Sequence, residues 1–194
     1  MNTELWNNTD VFISYINSRL EKAGAKYGIG GYNELRNFYA RSKVFNTGDH
    51  EEPRRLHLGI DIWGKPYTKV MAPMDAVVHS FAFNDDYGDY GATIILTHQL
   101  QGYSFHTLYG HLSLNSIKNL REGDSIYKGD VFAEFGIPFE NGNWPPHLHF
   151  QIITNMDRAK GDYPGVCKFS EREKYLKNCP NPDLILQMEE NVEI

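Results

Sequence analysis

Two histidines one residue apart, His147-Leu148-His149, stand in a run that continues Phe150-Gln151-Ile152-Ile153. Apolar and β-branched residues at this density read as a strand, in which successive side chains point to opposite faces. His147 and His149 therefore share one face, and Leu148, Phe150 and Ile152 share the other. Two imidazoles on one face, backed by an apolar face, suit a metal site or a proton-transfer site. Upstream, His57-Leu58-Gly59-Ile60-Asp61 sets an imidazole and a carboxylate four residues apart. Zinc accepts both ligand types, and the intervening glycine lets the backbone turn close beside a metal. His111 follows Leu108-Tyr109-Gly110 at the end of a predicted strand. The remaining histidines, His50, His79, His98 and His106, read as structural or surface residues. Strand alternation puts His106 on the face opposite His111, and Tyr109 on the same face as His111, where it could line the site.

The elements that must position these groups are mostly short strands. Before them, Val11, Phe12, Tyr15, Ile16 and Leu20 form a helical stripe over residues 10–21, with Thr9 or Asp10 as the N-cap. The glycines at 24, 28, 30 and 31 then break regular structure. Gly28-Ile29-Gly30-Gly31 is no phosphate loop, because no strand precedes it and no Lys-Ser/Thr ends it. Residues 32–40 read as a second short helix, followed by a polar loop over 46–53. From Leu56 onward strands are expected at 75–82, 92–98, 103–109, 131–135 and 148–153, with Gln101-Gly102 as a hairpin turn. Near the end, Ser170-Glu171-Arg172-Glu173 has capping-box spacing before a helix through Lys177, and Asn181-Pro182-Asp183 starts another. The resulting division is a helical extension over 1–50, a β domain over 51–160 and a C-terminal extension with short helices over 161–194.

The totals exclude several classes of partner. With 19 Lys+Arg against 25 Asp+Glu the formal charge is −6, which disfavours nucleic acid and anionic membranes. The first eight residues lack the basic and apolar regions of a secretory signal, and no run is long enough to span a bilayer. A cytoplasmic location follows as the expectation. Cys167 and Cys179 are too few and too widely spaced for a zinc knuckle and read as reduced structural thiols.

His57, Asp61, Tyr109-Gly110-His111 and His147-Leu148-His149, in that order within a β-rich chain, resemble the lysostaphin-like zinc metallopeptidases, which act on peptidoglycan. The likeness runs from about Leu56 to Ile153. It takes in Val70-Met71-Ala72-Pro73-Met74-Asp75-Ala76-Val77-Val78 and Glu122-Gly123-Asp124-Ser125-Ile126-Tyr127-Lys128-Gly129-Asp130 as well. It implies a mainly β fold: a compact antiparallel β core of the duplicated-hybrid-motif or barrel-sandwich type, with short flanking helices. It also implies one Zn2+ ion held by His57, Asp61 and His149, with His111 and His147 unligated and handling protons. The substrate implied is a peptide or muropeptide, cut by metal-activated water. Loops at 84–91 and 136–146 would wall the groove; Asp85, Asp86 and Asp89 in the first are expected to be solvated or to attract a substrate amine.

Two features depart from the family pattern. Residues 136–146 run Gly-Ile-Pro-Phe-Glu-Asn-Gly-Asn-Trp-Pro-Pro, stiffer and bulkier than the usual loop of small residues before the His-x-His. Peptidoglycan also lies outside the cytoplasm, so an enzyme without an export signal would need recycled muropeptides, another peptide or an unorthodox exit. Gly31-Tyr32-Asn33-Glu34-Leu35-Arg36, Arg55-Leu56-His57-Leu58-Gly59-Ile60-Asp61 and Gly142-Asn143-Trp144-Pro145-Pro146-His147 are similar to a metallopeptidase-like module fused between kinase-like and aminotransferase-like domains. That similarity supports an alternative, an amidohydrolase acting on small amides of cytoplasmic metabolism. An inactive metal-containing module that binds peptide or glycan is a further alternative, although such a module would be expected to lack at least one of the five residues.

Overall fold

The computed structural model describes residues 6–46 and 51–188, so His50 lies outside the described residues. Among the described residues eleven strands form one seven-stranded sheet and two two-stranded ribbons, and every pairing is antiparallel. The main sheet has the order β1 (Gly28–Gly30), β3 (Ile60–Trp63), β10 (His147–Ile153), β7 (Tyr103–Leu112), β6 (Gly91–Leu100), β5 (Ala76–Asn84), β8 (Ser125–Ile126). The ribbons pair β2 (Leu56–His57) with β11 (Val166–Cys167), and β4 (Lys69–Met71) with β9 (Val131–Glu134). The chain is thus mainly β with a compact antiparallel core, and its main sheet is open rather than closed on itself.

The centre of the sheet is buried on both faces, which explains the unbroken apolar run Ile94-Ile95-Leu96 in β6. Ile94 and Leu96 pack with Tyr109, Leu148, Phe150 and Ile152 on one side. Ile95 packs with Leu58, Leu108, Ile153, Met156, Cys167 and Cys179 on the other. Each such aliphatic side chain contributes about 1.5–3 kcal/mol relative to an exposed one. The β6–β7 hairpin turns at Gln101 and Gly102, with φ of 50° and 86°. Two consecutive positive φ values give the turn whose twist matches the strands, and glycine accepts the second at no steric cost.

The five predicted strands are present, with ends displaced by at most three residues. The first helix, α1, spans Thr9–Ala23, but its cap is Asn8, whose side chain accepts from the Asp10 and Val11 amides. Asn8 still has extended backbone, whereas Thr9 already lies inside the helix and donates to the Asn143 carbonyl. Gly28–Gly30, expected to break structure, forms an edge strand on β3. The second predicted helix is replaced by two 3-10 turns, Asn37–Arg41 and Lys43–Phe45. Tyr39 and Phe45 there are buried with Phe12, Trp63 and Trp144, so tertiary aromatic contacts fix this segment rather than helix propensity. After the short helix α2 (Leu114–Ile117), α3 (Arg172–Asn178) follows a 3-10 turn, and the Ser170 amide donates to Glu52 instead of closing a capping box. Pro182 precedes α4 (Asp183–Leu186), as expected from its fixed φ. Among the described residues no helix is long and apolar enough to cross a membrane.

Candidate metal centre

Strand register brings the first donors together. In the β3–β10 pair His149 lies directly opposite Asp61, and His147 directly opposite Trp63. Side chains at paired positions rise on the same face, so this register places both histidines, the carboxylate and the indole on one side. The indole of Trp63 stacks on His147 at 4.1 Å between ring centres. Leu148, Phe150 and Ile152 fill the core behind them. His57 arrives from β2 through Leu58 and Gly59. A Cβ at Gly59 would stand 2.6 Å from the His149 ring and 2.7 Å from the Phe150 carbonyl oxygen. The glycine between His57 and Asp61 is therefore required for space, since a side chain there would drive His149 away.

The donor atoms of His57, Asp61 and His149 lie within 4.8 Å of one another, and all three residues are buried. His57 Nε2 is 3.0 Å from His149 Nδ1 and 3.3 Å from Asp61 Oδ1, and His149 Nδ1 is 3.1 Å from the same oxygen. The opposite nitrogen of each ring is engaged by the protein. His57 Nδ1–H donates to the Gly31 carbonyl at 2.9 Å, and His149 Nε2–H to Gln151 Oε1 at 2.9 Å. Those bonds select the tautomers whose free lone pairs converge beside Asp61 Oδ1, as a metal requires. The other carboxylate oxygen, Oδ2, accepts from the buried Arg36 guanidinium.

His111 and His147 complete the constellation without joining the donor cluster. Their ring centres are 4.1 Å apart. His147 Nδ1–H donates to the Pro145 carbonyl at 2.7 Å, and His111 Nδ1–H to the Asn141 carbonyl at 2.8 Å. His147 Nε2 stands 3.9 Å from Asp61 Oδ1. His111 reaches the site through a β-bulge: the β6–β7 register shifts between Ala92 and Ile94, and His111 takes φ of 62°. Left-handed backbone at a residue other than glycine is uncommon and costs about 1–3 kcal/mol, so the surrounding pairing must impose it.

The bulge overturns two expectations that rested on simple alternation. Tyr109 faces away from the site and packs on Phe132 and Phe150 in the core. His106, opposite Ile153 as Gly110 is opposite His149, stands on the site's own face of the sheet, four residues down the strand. Two further positions were foreseeable or not for physical reasons. Gln151 follows His149 by two, so alternation alone places it beside that histidine. Arg36 carries no such signal, because a lone arginine in a predicted short helix reads as solvated.

Burial, and the Arg36 guanidinium after it, push the His57 imidazole down to about 4. Burial likewise takes His147 to about 4 and His111 well below its ordinary value. Burial alone would raise the Asp61 carboxyl, but His57 and Arg36 outweigh it and hold the group well below the usual carboxylate range. The site thus combines one carboxylate with the imidazoles of His57, His111 and His147, which burial holds neutral.

The centre opens into a cleft of about 220 Å³. The loops at 84–91 and 136–146 do wall it, through Gly88, Asp89, Tyr90 and Trp144. Two unforeseen walls come from Phe38, Tyr39, Val44 and Phe45 and from residues 162–166. Asp89 lines the cleft, whereas Asp85 and Asp86 are exposed and lie outside its lining. Cys167 and Cys179 are free, buried thiols, pushed up to about 11 and about 12 by burial.

The sequence pattern of Peptidase family M23 matches residues 55–160. No curated protein matches the chain. Among solved structures, the catalytic domain of the antimicrobial peptidase lysostaphin from Staphylococcus simulans is similar in fold. Its TM-score is 0.50 at 19% identity, covering 84% of this chain and 96% of that one. A variant of the catalytic domain of the prophage-encoded M23 protein EnpA from Enterococcus faecalis gives 0.47 at 16% identity, covering 73% and 94%. A zinc-containing peptidase from Vibrio cholerae gives 0.40 at 23% identity, covering 50% of this chain and 27% of that one.

Proposed function

We propose, since the chain belongs to Peptidase family M23, that it is a zinc-dependent metallopeptidase hydrolysing a peptide bond in a peptidoglycan-type peptide. His57, Asp61 and His149 hold one zinc ion in this reading, and His111 and His147 move protons. The observation that carries it is the orientation of the imidazoles. His57 and His149 each commit one ring nitrogen to the protein and turn the other toward Asp61 Oδ1. Three protein donors leave room at a zinc for water or substrate, as catalytic rather than structural sites do. Zinc bound there supplies Lewis acidity, lowering the pKa of water towards about 7 and polarising a carbonyl.

The chain's own residues supply the proton handling. Burial keeps His111 and His147 neutral, and both have Nδ1–H committed to a carbonyl, so Nε2 is the accepting atom on each. One of them takes the proton released by the attacking water. The imidazolium so formed stabilises charge developing on the carbonyl oxygen or returns the proton to the leaving amine. Trp63 and the His111–His147 contact hold the rings in place, so little reorganisation accompanies transfer.

The test is incubation of zinc-loaded protein with muropeptides and, separately, with a library of small amides, read by mass spectrometry. Cleaved muropeptides support the proposal, together with loss of cleavage on chelation. Products from small amides alone would transfer the activity to metabolite hydrolysis.

A further inference from the structure

Two of the three donor residues are oriented by a loop upstream of the matched residues 55–160. Gly31 supplies the carbonyl that accepts from His57 Nδ1–H, and Arg36 binds the outer oxygen of Asp61. The loop is fixed to the β2 strand by backbone bonds: Asn33 N–H to the His57 carbonyl, His57 N–H to the Glu34 carbonyl and Arg36 N–H to the Arg55 carbonyl, each 2.9 Å. Arg36 itself is almost fully enclosed, with a side chain 3% exposed. Its Nε–H donates to Glu34 Oε2 at 2.8 Å, and its other nitrogens donate to Tyr39 Oη at 3.2 Å, the Gly31 carbonyl at 3.2 Å and Asp61 Oδ2.

A buried guanidinium is costly unless its donors are met, and here one fork joins the carbonyl behind His57 to the carboxylate of Asp61. Its consequence for the site follows from which oxygen it takes. Oδ2 is committed to Arg36, and Oδ1 alone faces His57 Nε2 and His149 Nδ1. We propose that Arg36 is a positioning residue that confines Asp61 to one-oxygen ligation, keeping the remaining metal positions for water and substrate. This inference rests on the metal-site reading above. Without the guanidinium, Asp61 is free to offer both oxygens and raise the coordination number. A purely structural ion pair would tie the loop down and leave ligation unchanged.

Cobalt(II) separates these roles, because its visible absorption is intense in four-coordinate sites and weak at higher coordination. Metal-free full-length protein, Arg36→Met, Arg36→Lys and Glu34→Ala are titrated with cobalt(II), with zinc affinity measured by competition. The expected result is an intense band for the unaltered chain and a weak one for Arg36→Met, with metal binding weakened roughly 10–100-fold, as loss of an outer-sphere partner commonly does. Arg36→Lys should resemble Arg36→Met, since an ammonium keeps the charge but not the fork. If Arg36→Met fails to fold by circular dichroism, Glu34→Ala decides: its carboxylate is half exposed, and its loss should shift the band in the same direction by less. Unchanged bands and affinities in the folded variants would overturn the positioning role. An unaltered chain that binds no cobalt(II) would instead overturn the metal reading, and this inference with it.

Discussion

Buried histidines occur in two settings in this chain, and one ring nitrogen separates them. His98 lies in the sheet with both nitrogens engaged, Nδ1 with the Asp75 carbonyl at 2.9 Å and Nε2 with Thr107 Oγ1 at 2.7 Å. It braces β6 against β7. At the candidate metal centre, His57 and His149 give one nitrogen to Gly31 or Gln151 and turn the other toward a shared carboxylate oxygen. His111 and His147 give Nδ1 to a carbonyl and keep Nε2 for the cleft. Burial lowers the pKa of His98, His57, His111 and His147 alike, so neither burial nor pKa distinguishes the groups. What distinguishes them is what the second nitrogen faces: a hydroxyl for His98, the shared Asp61 oxygen for His57 and His149, and the cleft for His111 and His147.

The most severe break in that comparison is His149→Ala. It removes a donor, and bound zinc measured by mass spectrometry of the purified protein should fall from one equivalent to near none. Retention of a full equivalent would take His149 out of the donor set. His111→Ala should separate ligation from proton transfer. Zinc content should stay at its normal level while turnover on a cleaved peptide falls by about 10²–10⁴-fold, the usual worth of a positioned acid or base. Full activity in that variant would assign the proton to another group.

His98→Ala tests the other side. Its loss removes the bond to the Asp75 carbonyl and one of the two bonds of the buried Thr107 hydroxyl, which keeps Tyr109 Oη, at a cost of about 1–3 kcal/mol for the two bonds. The melting temperature should fall by several degrees, with zinc content unaltered. A loss of zinc at unchanged melting temperature would erase the distinction between the two groups of histidine.

Much of this contrast could be read from strand periodicity, and the rest could not. The shared face of His147 and His149 follows from a period of two, as does the apolar face carrying Leu148, Phe150 and Ile152. The same rule failed at His111, because a bulge inserts a residue between Tyr109 and Leu112 and both then face the core. A bulge depends on the partner strand and leaves no mark in the local pattern. The segment carrying Gly31, Arg36 and Tyr39 was harder still. Its structure is 3-10 turns and a single β-bridge between Leu35 and Leu56, held by Phe45 of the second turn and by Trp63 and Trp144 from distant parts of the chain. No periodicity announces such contacts.

The comparison extends to carboxylates, where the expected effect is smallest. Asp61 is fully enclosed, yet His57 and Arg36 hold it charged. Asp89 is less buried, but its carboxyl is pushed up to about 6 by burial, with Asp162 and Asp86 adding to the rise and Arg54 opposing it. An acid whose folded pKa exceeds its ordinary 3.8 binds more protons folded than unfolded between those values. Its contribution to stability is therefore fully present below about pH 4 and is lost as pH rises through about 6. Asp89→Asn cannot ionise, so it should melt higher than the unaltered chain at pH 7.5 and converge with it at pH 4. Equal melting temperatures at pH 7.5 would mean that Asp89 is as well solvated in the fold as in the open chain. Asp89 would then lose the property that sets it apart from Asp61: a carboxyl in the cleft that burial raises and Arg54 does not offset.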